Sequence, residues 1–251
     1  MQLIKRILFR VLGQQRYLQC LHLSFHWIYR LGLLKNNEVY KYHYWVKQLI
    51  QPGNTVLDLG SNLGYYTRIF SDLVGKHGNV IAIEPVKPFF EVQQKFLGDR
   101  KNITLYNHAL GESNKTIEMV IPKMDSYIRT GLAHVKTEAE TEPVHFSFQV
   151  DMVKGSELLA NLHELHYIKC DIEGYESIVI PEIIEVIRKH HPIIQIETFG
   201  ETRKNIKNLL TPLGYEECIL HQDKLHKTST FNLEKGDVIF IPKEKVLDLL
   251  G

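Results

Sequence analysis

The sequence predicts an α/β fold: a mostly parallel sheet of seven strands with helices on both faces. Three observations carry this. Short apolar runs of strand length alternate with longer segments of helical periodicity from about residue 40 onward. Glycine and proline breakers, such as Pro52-Gly53 and Gly75–Gly78, fall between them. The chain of 251 residues, with 44% hydrophobic and 24% charged residues, is long enough to bury such a core. Helices of this length between strands make βαβ units, which are parallel and covered on both faces.

Taken in order, Leu3, Ile4, Ile7, Leu8 and Val11 repeat at helical spacing, and Leu18, Leu21, Phe25 and Ile28 continue the pattern. Residues 1–40 therefore read as an N-terminal extension of one or two amphipathic helices, followed by a single domain over 41–251. The extension suits either a cap packed on the domain or a basic helix resting on an anionic membrane surface. Lys5, Arg6 and Arg10 interrupt its apolar residues, and no cleavage-type motif follows, so it does not read as a secretory signal. Tyr17–Leu34 carries Gln19, His22, His26 and Arg30 and makes a poor membrane span. His22 and His26 stand at i, i+4, but Leu23 replaces the Glu a zincin motif needs, so they read as packing residues.

Tyr40–Ile50 reads as a helix, Thr55–Leu59 as a buried strand, Asn62–Val74 as a helix and Val80–Ile83 as a strand. A helix at Lys87–Leu97 and a strand at Ile103–Asn107 follow. Residues 112–150 break the rhythm with two strand-like runs, Thr116–Ile121 and Val144–Val150, and predict an inserted hairpin with a mobile tip around Lys123–Glu142. Then come a helix near Ser156–Leu162, a strand at His166–Cys170, a helix at Tyr175–Lys189, a strand at Ile193–Glu197 and a helix at Glu201–Leu213. Strands Tyr215–Leu220 and Val238–Ile241 close the chain with no long helix between them, so one is expected to run antiparallel.

Net charge is +1, from 30 basic and 29 acidic residues, which gives no reason to expect nucleic acid as a partner. Three separated cysteines, Cys20, Cys170 and Cys218, form neither a zinc knuckle nor a disulfide framework and suit a reducing cytoplasmic compartment.

The chemistry begins at Val56–Thr67, VLDLGSNLGYYT, a strand running into a glycine-spaced turn. A P-loop needs Gly-x-x-x-x-Gly-Lys-Ser/Thr, which is absent. A dinucleotide fingerprint needs three glycines, and only Gly60 and Gly64 are present. Asp58 at the strand end would repel a pyrophosphate and would suit a cationic ligand. S-adenosyl-L-methionine carries a sulfonium and an ammonium and no phosphate. Glu84, after the second strand, stands where an acid binds ribose hydroxyls in doubly wound folds, and its two oxygens match a vicinal diol.

Asp58-Leu-Gly-Ser-Asn-Leu-Gly64, Glu84-Pro85, Asn107–Glu112 (NHALGE) and Lys169–Glu176 (KCDIEGYE) together resemble the FkbM-type methyltransferases, whose pattern reads D-x-G-A-N-x-G, E-P, N-x-A-L-G and K-x-D-x-E-G-x-E. Ser61 stands where Ala is commoner. The resemblance spans about residues 40–220 and implies a class I, Rossmann-like methyltransferase that uses S-adenosyl-L-methionine, typically to O-methylate a hydroxyl on a sugar, a polysaccharide precursor or a related metabolite. It places Asp58, Gly60, Ser61, Asn62 and Gly64 at the methionine end of the cofactor, Glu84 and Pro85 at the ribose, and His108, Ala109 and Leu110 beside the adenine. The backbone amides of Tyr65, Tyr66 and Thr67 are expected to face the cofactor carboxylate.

Asp171 and Glu173 are placed beside the methyl group at the end of the fourth parallel strand. A sugar hydroxyl needs a base as its charge develops, and Asp171 is the expected base, with Glu173 as its orienter or a second base and Glu197 a third acid. Two near carboxylates should raise one pKa. The same pair could instead hold Mg²⁺, although no dedicated metal motif is present. Lys169 could pair with one of these acids, and Glu176 could simply favour the start of the next helix. N-methylation is the alternative reaction, but DIEGYE lacks the Asn/Asp-Pro-Pro-aromatic motif of many nucleic-acid N-methyltransferases. A non-catalytic scaffold at the membrane surface is a third reading. The expected partner is a small-molecule or glycan acceptor, free or lipid-linked, with peripheral contact to the inner face of the membrane through the N-terminal helices. The inserted hairpin and those helices are expected to shape the acceptor site.

Overall fold

The computed structural model describes residues 2–123, 127–137, 143–230 and 235–250. The tip expected around Lys123–Glu142 therefore lies partly outside the described residues. In chain order the elements are α1 (Gln2–Arg30), α2 (Lys41–Trp45), β1 (Thr55–Leu59), α3 (Tyr65–Val74), β2 (Asn79–Ile83), α4 (Lys87–Leu97) and β3 (Ile103–Tyr106). The insertion holds β4 (Ala109–Gly111), β5 (Lys115–Pro122), β6 (His134–Val135) and β7 (Val144–Lys154). After it come α5 (Gly155–Leu158), β8 (Tyr167–Cys170), α6 (Glu176–Glu182), α7 (Ile184–His190), β9 (Ile193–Phe199), α8 (Gly200–Leu210), β10 (Tyr215–His221), β11 (Lys224–Lys227), β12 (Lys235–Pro242) and α9 (Lys243–Leu250).

The main sheet has the order β3-β2-β1-β8-β9-β12-β10-β11. Five strands, β3 to β9, pair parallel, and β12 runs antiparallel to both β9 and β10. This is the mostly parallel α/β sheet expected from the sequence, extended by an eighth strand. That strand escaped the reading because its hairpin turns on Gln222 and Asp223, both at positive φ, where Asn-Gly is the usual signal. The order runs outward from β1 in one direction and restarts at β8 in the other, so the crevice between their carboxyl ends is a topological switch point.

Alternate residues of the strands feed two cores. Leu57, Ile168, Ile194 and Phe240 pack toward α6–α8, while Val56, Val80 and Ile239 pack with Phe70 and Trp45 on the other face. Full burial of each such side chain contributes about 1.5–3 kcal/mol. A third cluster joins α1 and α4 to the insertion through Tyr17, Leu18, Phe89, Met119 and Met152.

Several boundaries moved for identifiable reasons. The helix expected from Asn62 starts at Tyr65, because Asn62 (φ 54) and Gly64 (φ 78) are left-handed. The helix expected over Tyr175–Lys189 divides at Ile183, two residues after Pro181, which lacks a backbone donor. The segment 38–48 forms α2 flanked by two short 3₁₀ turns rather than one helix. The insertion is a four-stranded sheet, β4-β7-β5-β6, in which the NHALGE segment supplies a strand parallel to β7.

α1 is broken at Gly13 (φ 70, ψ 170). Its second half is a cap. Tyr17, Leu18, His22, Phe25 and His26 are buried there, and His22 Nδ1 lies 2.7 Å from the Leu63 carbonyl oxygen while its ring stacks on Phe96. Burial pulls His26 down to about 2, so both rings serve packing as neutral groups.

Candidate active site

The loop leaving β1 is set by backbone geometry. Gly60 (φ +73) passes so close to the segment after β8 that a Cβ there would overlap the Asp171 carbonyl oxygen. The two strand ends are also tied directly, since the Asp171 amide donates to the Leu59 carbonyl at 3.1 Å. Asn62 donates its amide to Glu84 Oε2 at 2.7 Å and its side-chain amide to the Thr130 carbonyl at 2.9 Å. The insertion thus closes over the loop.

Glu84 accepts a second backbone bond, from Val86 N–H at 2.8 Å. Burial pushes its carboxyl up to about 8, against those two donors. Asn107 donates to the carbonyls of Glu84 and Pro85 at 2.8 and 2.9 Å, which joins the ends of β2 and β3.

Around these loops lies a divided cleft. Its apolar part, about 390 Å³, is bordered by Leu59, Pro85, His108, Ala109, Leu110 and Tyr175, with Met119 and Val135 of the insertion. Its polar part, about 470 Å³, is bordered by Gly60, Asn62, Glu84, Thr130, Asp171 and Glu173. Asn62 Oδ1 and His108 Nδ1 are buried there without a hydrogen-bond partner.

A second cleft, about 1240 Å³, opens on the other side of Asp171. Tyr42, His43, Tyr66, Lys169, Glu197, His221 and Asp237 line it. Lys169 is the hub. Its ammonium lies 3.1 Å from Asp171 Oδ2, 3.9 Å from Asp237 Oδ1 and 5.4 Å from the Tyr66 ring centroid. Burial pulls the ammonium down, but Asp171 and Asp237 outweigh it and hold the group above the ordinary lysine range. Gln195 donates to Asp237 Oδ1 at 3.1 Å and to the Tyr66 hydroxyl at 3.3 Å, and accepts from Tyr167 at 2.5 Å. His43 stacks on Tyr66 at 3.9 Å, and burial, then Lys169, pulls it down to about 3, so it is neutral.

Of the sequence-derived residues, Gly60, Asn62, Glu84, Pro85, His108, Ala109, Leu110, Asp171 and Glu173 border the divided cleft. Tyr66 and Glu197 border the second cleft with Asp171. Five residues support the loop instead. Asp58 is buried and accepts from the Thr67 hydroxyl at 2.6 Å and from its backbone amide. The Thr67 amide, expected to face a cofactor, is thus taken by Asp58, and burial pushes that carboxyl up to about 6. Ser61 Oγ accepts from Gln93 at 2.8 Å, Gly64 packs against Leu97 and Gln93, and the Tyr65 ring lies 4.2 Å from Phe25.

Asp171 forms the ion pair with Lys169 that their shared side of β8 allows. Glu176 latches the loop by accepting the amides of Ile172 and Gly174 at 3.0 and 3.3 Å, so it belongs to the turn and not to the cleft. The Mg²⁺ expectation finds no support, since among the described residues no group of three or more His, Cys, Asp or Glu is placed to hold a metal ion. Asp237, Gln195 and His43 went unnoticed in the sequence. β12 pairs antiparallel to β9 and so sets Asp237 opposite Glu197, a register that no feature of the sequence marks.

Comparison with known proteins agrees with the geometry. The family model described as Methyltransferase FkbM domain matches residues 58–217. Among solved structures, a methyltransferase FkbM from Methylobacillus flagellatus KT is 13% identical with a TM-score of 0.47, over 79% of this chain and 50% of that one. The chain thus spans about half the length of that relative. An rRNA methylase from Streptococcus thermophilus is 12% identical with a TM-score of 0.47, over 82% of this chain and 97% of that one. A putative rRNA methylase from Clostridium thermocellum is 15% identical with a TM-score of 0.46, over 82% and 96%. No curated protein matches.

Proposed function

The chain belongs to the FkbM methyltransferase family, and from that premise we propose that it O-methylates a hydroxyl of a sugar, a polysaccharide precursor or a related metabolite. The observation that carries the proposal is that Asp171 borders both clefts. A cofactor and an acceptor seated on either side would meet at its carboxylate.

The donor set of the divided cleft fits S-adenosyl-L-methionine. Glu84 would hold the ribose diol, because each carboxylate oxygen keeps lone-pair capacity beyond its one backbone bond. The unpartnered atoms Asn62 Oδ1 and His108 Nδ1 give polar groups of the cofactor a partner, and the apolar part beside His108–Leu110 suits a flat ring. Bound there, S-adenosyl-L-methionine supplies a methyl group already activated by its sulfonium.

The protein then has two tasks, alignment and proton removal. Asp171 takes the proton that the acceptor hydroxyl gives up. Lys169 fixes the orientation of that carboxylate through their ion pair, and Asp237 with Gln195 fixes Lys169. In the second cleft, Glu197 and Asp237 offer acceptors to hydroxyl donors, and Tyr42, His43 and Tyr66 offer ring faces and edges, which is a sugar-like recognition surface.

The test is methyl transfer from S-adenosyl-L-methionine to a panel of sugars, sugar nucleotides and oligosaccharides, read as S-adenosylhomocysteine release. A hydroxyl-bearing acceptor is expected to support turnover, and Asp171→Asn to reduce it by about 10²–10⁴-fold with cofactor binding retained. Normal turnover in Asp171→Asn would remove it as the base.

A further inference from the structure

We propose that the first half of α1 docks the protein onto an anionic lipid bilayer surface. Charge is the first observation. Residues 1–37 hold six basic side chains, Lys5, Arg6, Arg10, Arg16, Arg30 and Lys35, and no acidic one. From whole-chain totals of 30 and 29, the remainder holds 24 basic and 29 acidic residues, so a segment of +6 precedes a body of −5.

Exposure is the second observation. Leu3, Ile4, Ile7, Leu8 and Val11 stand out from the protein, with Leu3 69% and Val11 74% exposed. At 100° per residue these five side chains share one face of the helix, with Arg6 and Arg10 along one border and Lys5 along the other. Phe9 lies on the opposite face and packs edge-on against Tyr17 at 5.3 Å, which fixes the outward direction of the apolar row. In the second half, Leu23, Trp27 and Leu31 repeat the exposed i, i+4 spacing beside Arg16 and Arg30, and Trp27 is 70% exposed.

An apolar row of this size is unusual on a soluble surface unless it meets a partner. Basic borders, an exposed Trp and the absence of any acid match an interfacial helix whose apolar face enters the acyl boundary while its cations meet lipid phosphates. Among the described residues, no helix is long and apolar enough to cross a membrane, so the segment lies on the bilayer. The break at Gly13 separates this docking half from the capping half.

Co-sedimentation of the full chain with phosphatidylcholine vesicles, with and without about 30% phosphatidylglycerol, tests this. The wild type is expected to pellet with the anionic vesicles, at least tenfold more than with phosphatidylcholine alone, and to be released by high salt. Arg10→Glu, and separately Ile7→Glu, should lose at least tenfold in binding with circular dichroism unchanged, since both side chains are exposed. Wild type left in the supernatant with anionic vesicles would overturn the proposal. So would equal binding of wild type and both variants, or self-association through this face without vesicle binding.

Discussion

The two clefts that meet at Asp171 are walled in opposite ways. The divided cleft, the proposed cofactor side, is built from short segments that leave β1, β2 and β3 in turn: Gly60–Asn62, Glu84–Val86 and His108–Leu110. Their positions follow from backbone geometry within a few residues of each strand end. The second cleft, the proposed acceptor side, gathers Tyr42 and His43 from α2, Tyr66 from α3, Lys169 from β8, Glu197 from β9 and Asp237 from β12. Asp237 joins the others because the sheet order puts β12 beside β9. A wall of the first kind is fixed by turns, and a wall of the second kind by topology, so substitutions in them should fail differently.

The largest effect should come from the first wall. Gly60→Ala forces a side chain onto the Asp171 carbonyl at a positive φ, in a crevice closed on both sides. The expected cost is about 3 kcal/mol in denaturant unfolding, together with loss of cofactor binding. A stable variant that binds normally would break the idea that the β1–β8 contact sets this wall.

The same contrast explains what could be read from the sequence. Gly60, Asn62, Glu84 and Asp171 each stand in a contiguous motif at a strand end, and the motif chemistry names the ligand class before any tertiary contact is known. Asp58 stood in the same motif but belongs to the support. Its acidity suggested a cationic ligand, whereas its carboxylate accepts from the hydroxyl and amide of Thr67 in the first turn of α3. Strand alternation put Lys169 and Asp171 on one side of β8, so their pairing was legible. Asp237 and Gln195 were not, because they depend on the register of an antiparallel strand distant in sequence. Likewise β4 and β11 were hidden by their turns and not by their composition.

A smaller effect sharpens the electrostatics of the cofactor side. Burial holds Glu84 at about 8, so at pH 7 the free protein keeps it largely protonated. A cationic ligand favours the carboxylate. Binding at pH 7 should therefore release protons, and affinity should rise between pH 7 and 9. Glu84→Gln should weaken binding by about tenfold to a hundredfold and abolish both the proton release and the pH dependence, read by calorimetry in buffers of different ionisation enthalpy.

The smallest effect belongs to the acceptor wall. Asp237→Asn removes one of the two carboxylates beside Lys169 and leaves the Asp171 pair in place. Turnover should fall by about tenfold with cofactor affinity unchanged. A change in cofactor affinity instead would show that the two walls are not separable at Asp171.

The central claim is that the divided cleft binds S-adenosyl-L-methionine while Asp171 acts on the acceptor. Calorimetric titration of S-adenosyl-L-methionine into the wild type and Asp171→Asn, at pH 7 and pH 9, tests it most directly. One site per chain in both proteins, tighter at pH 9, is the predicted result. Absence of binding by the wild type at either pH would contradict the account.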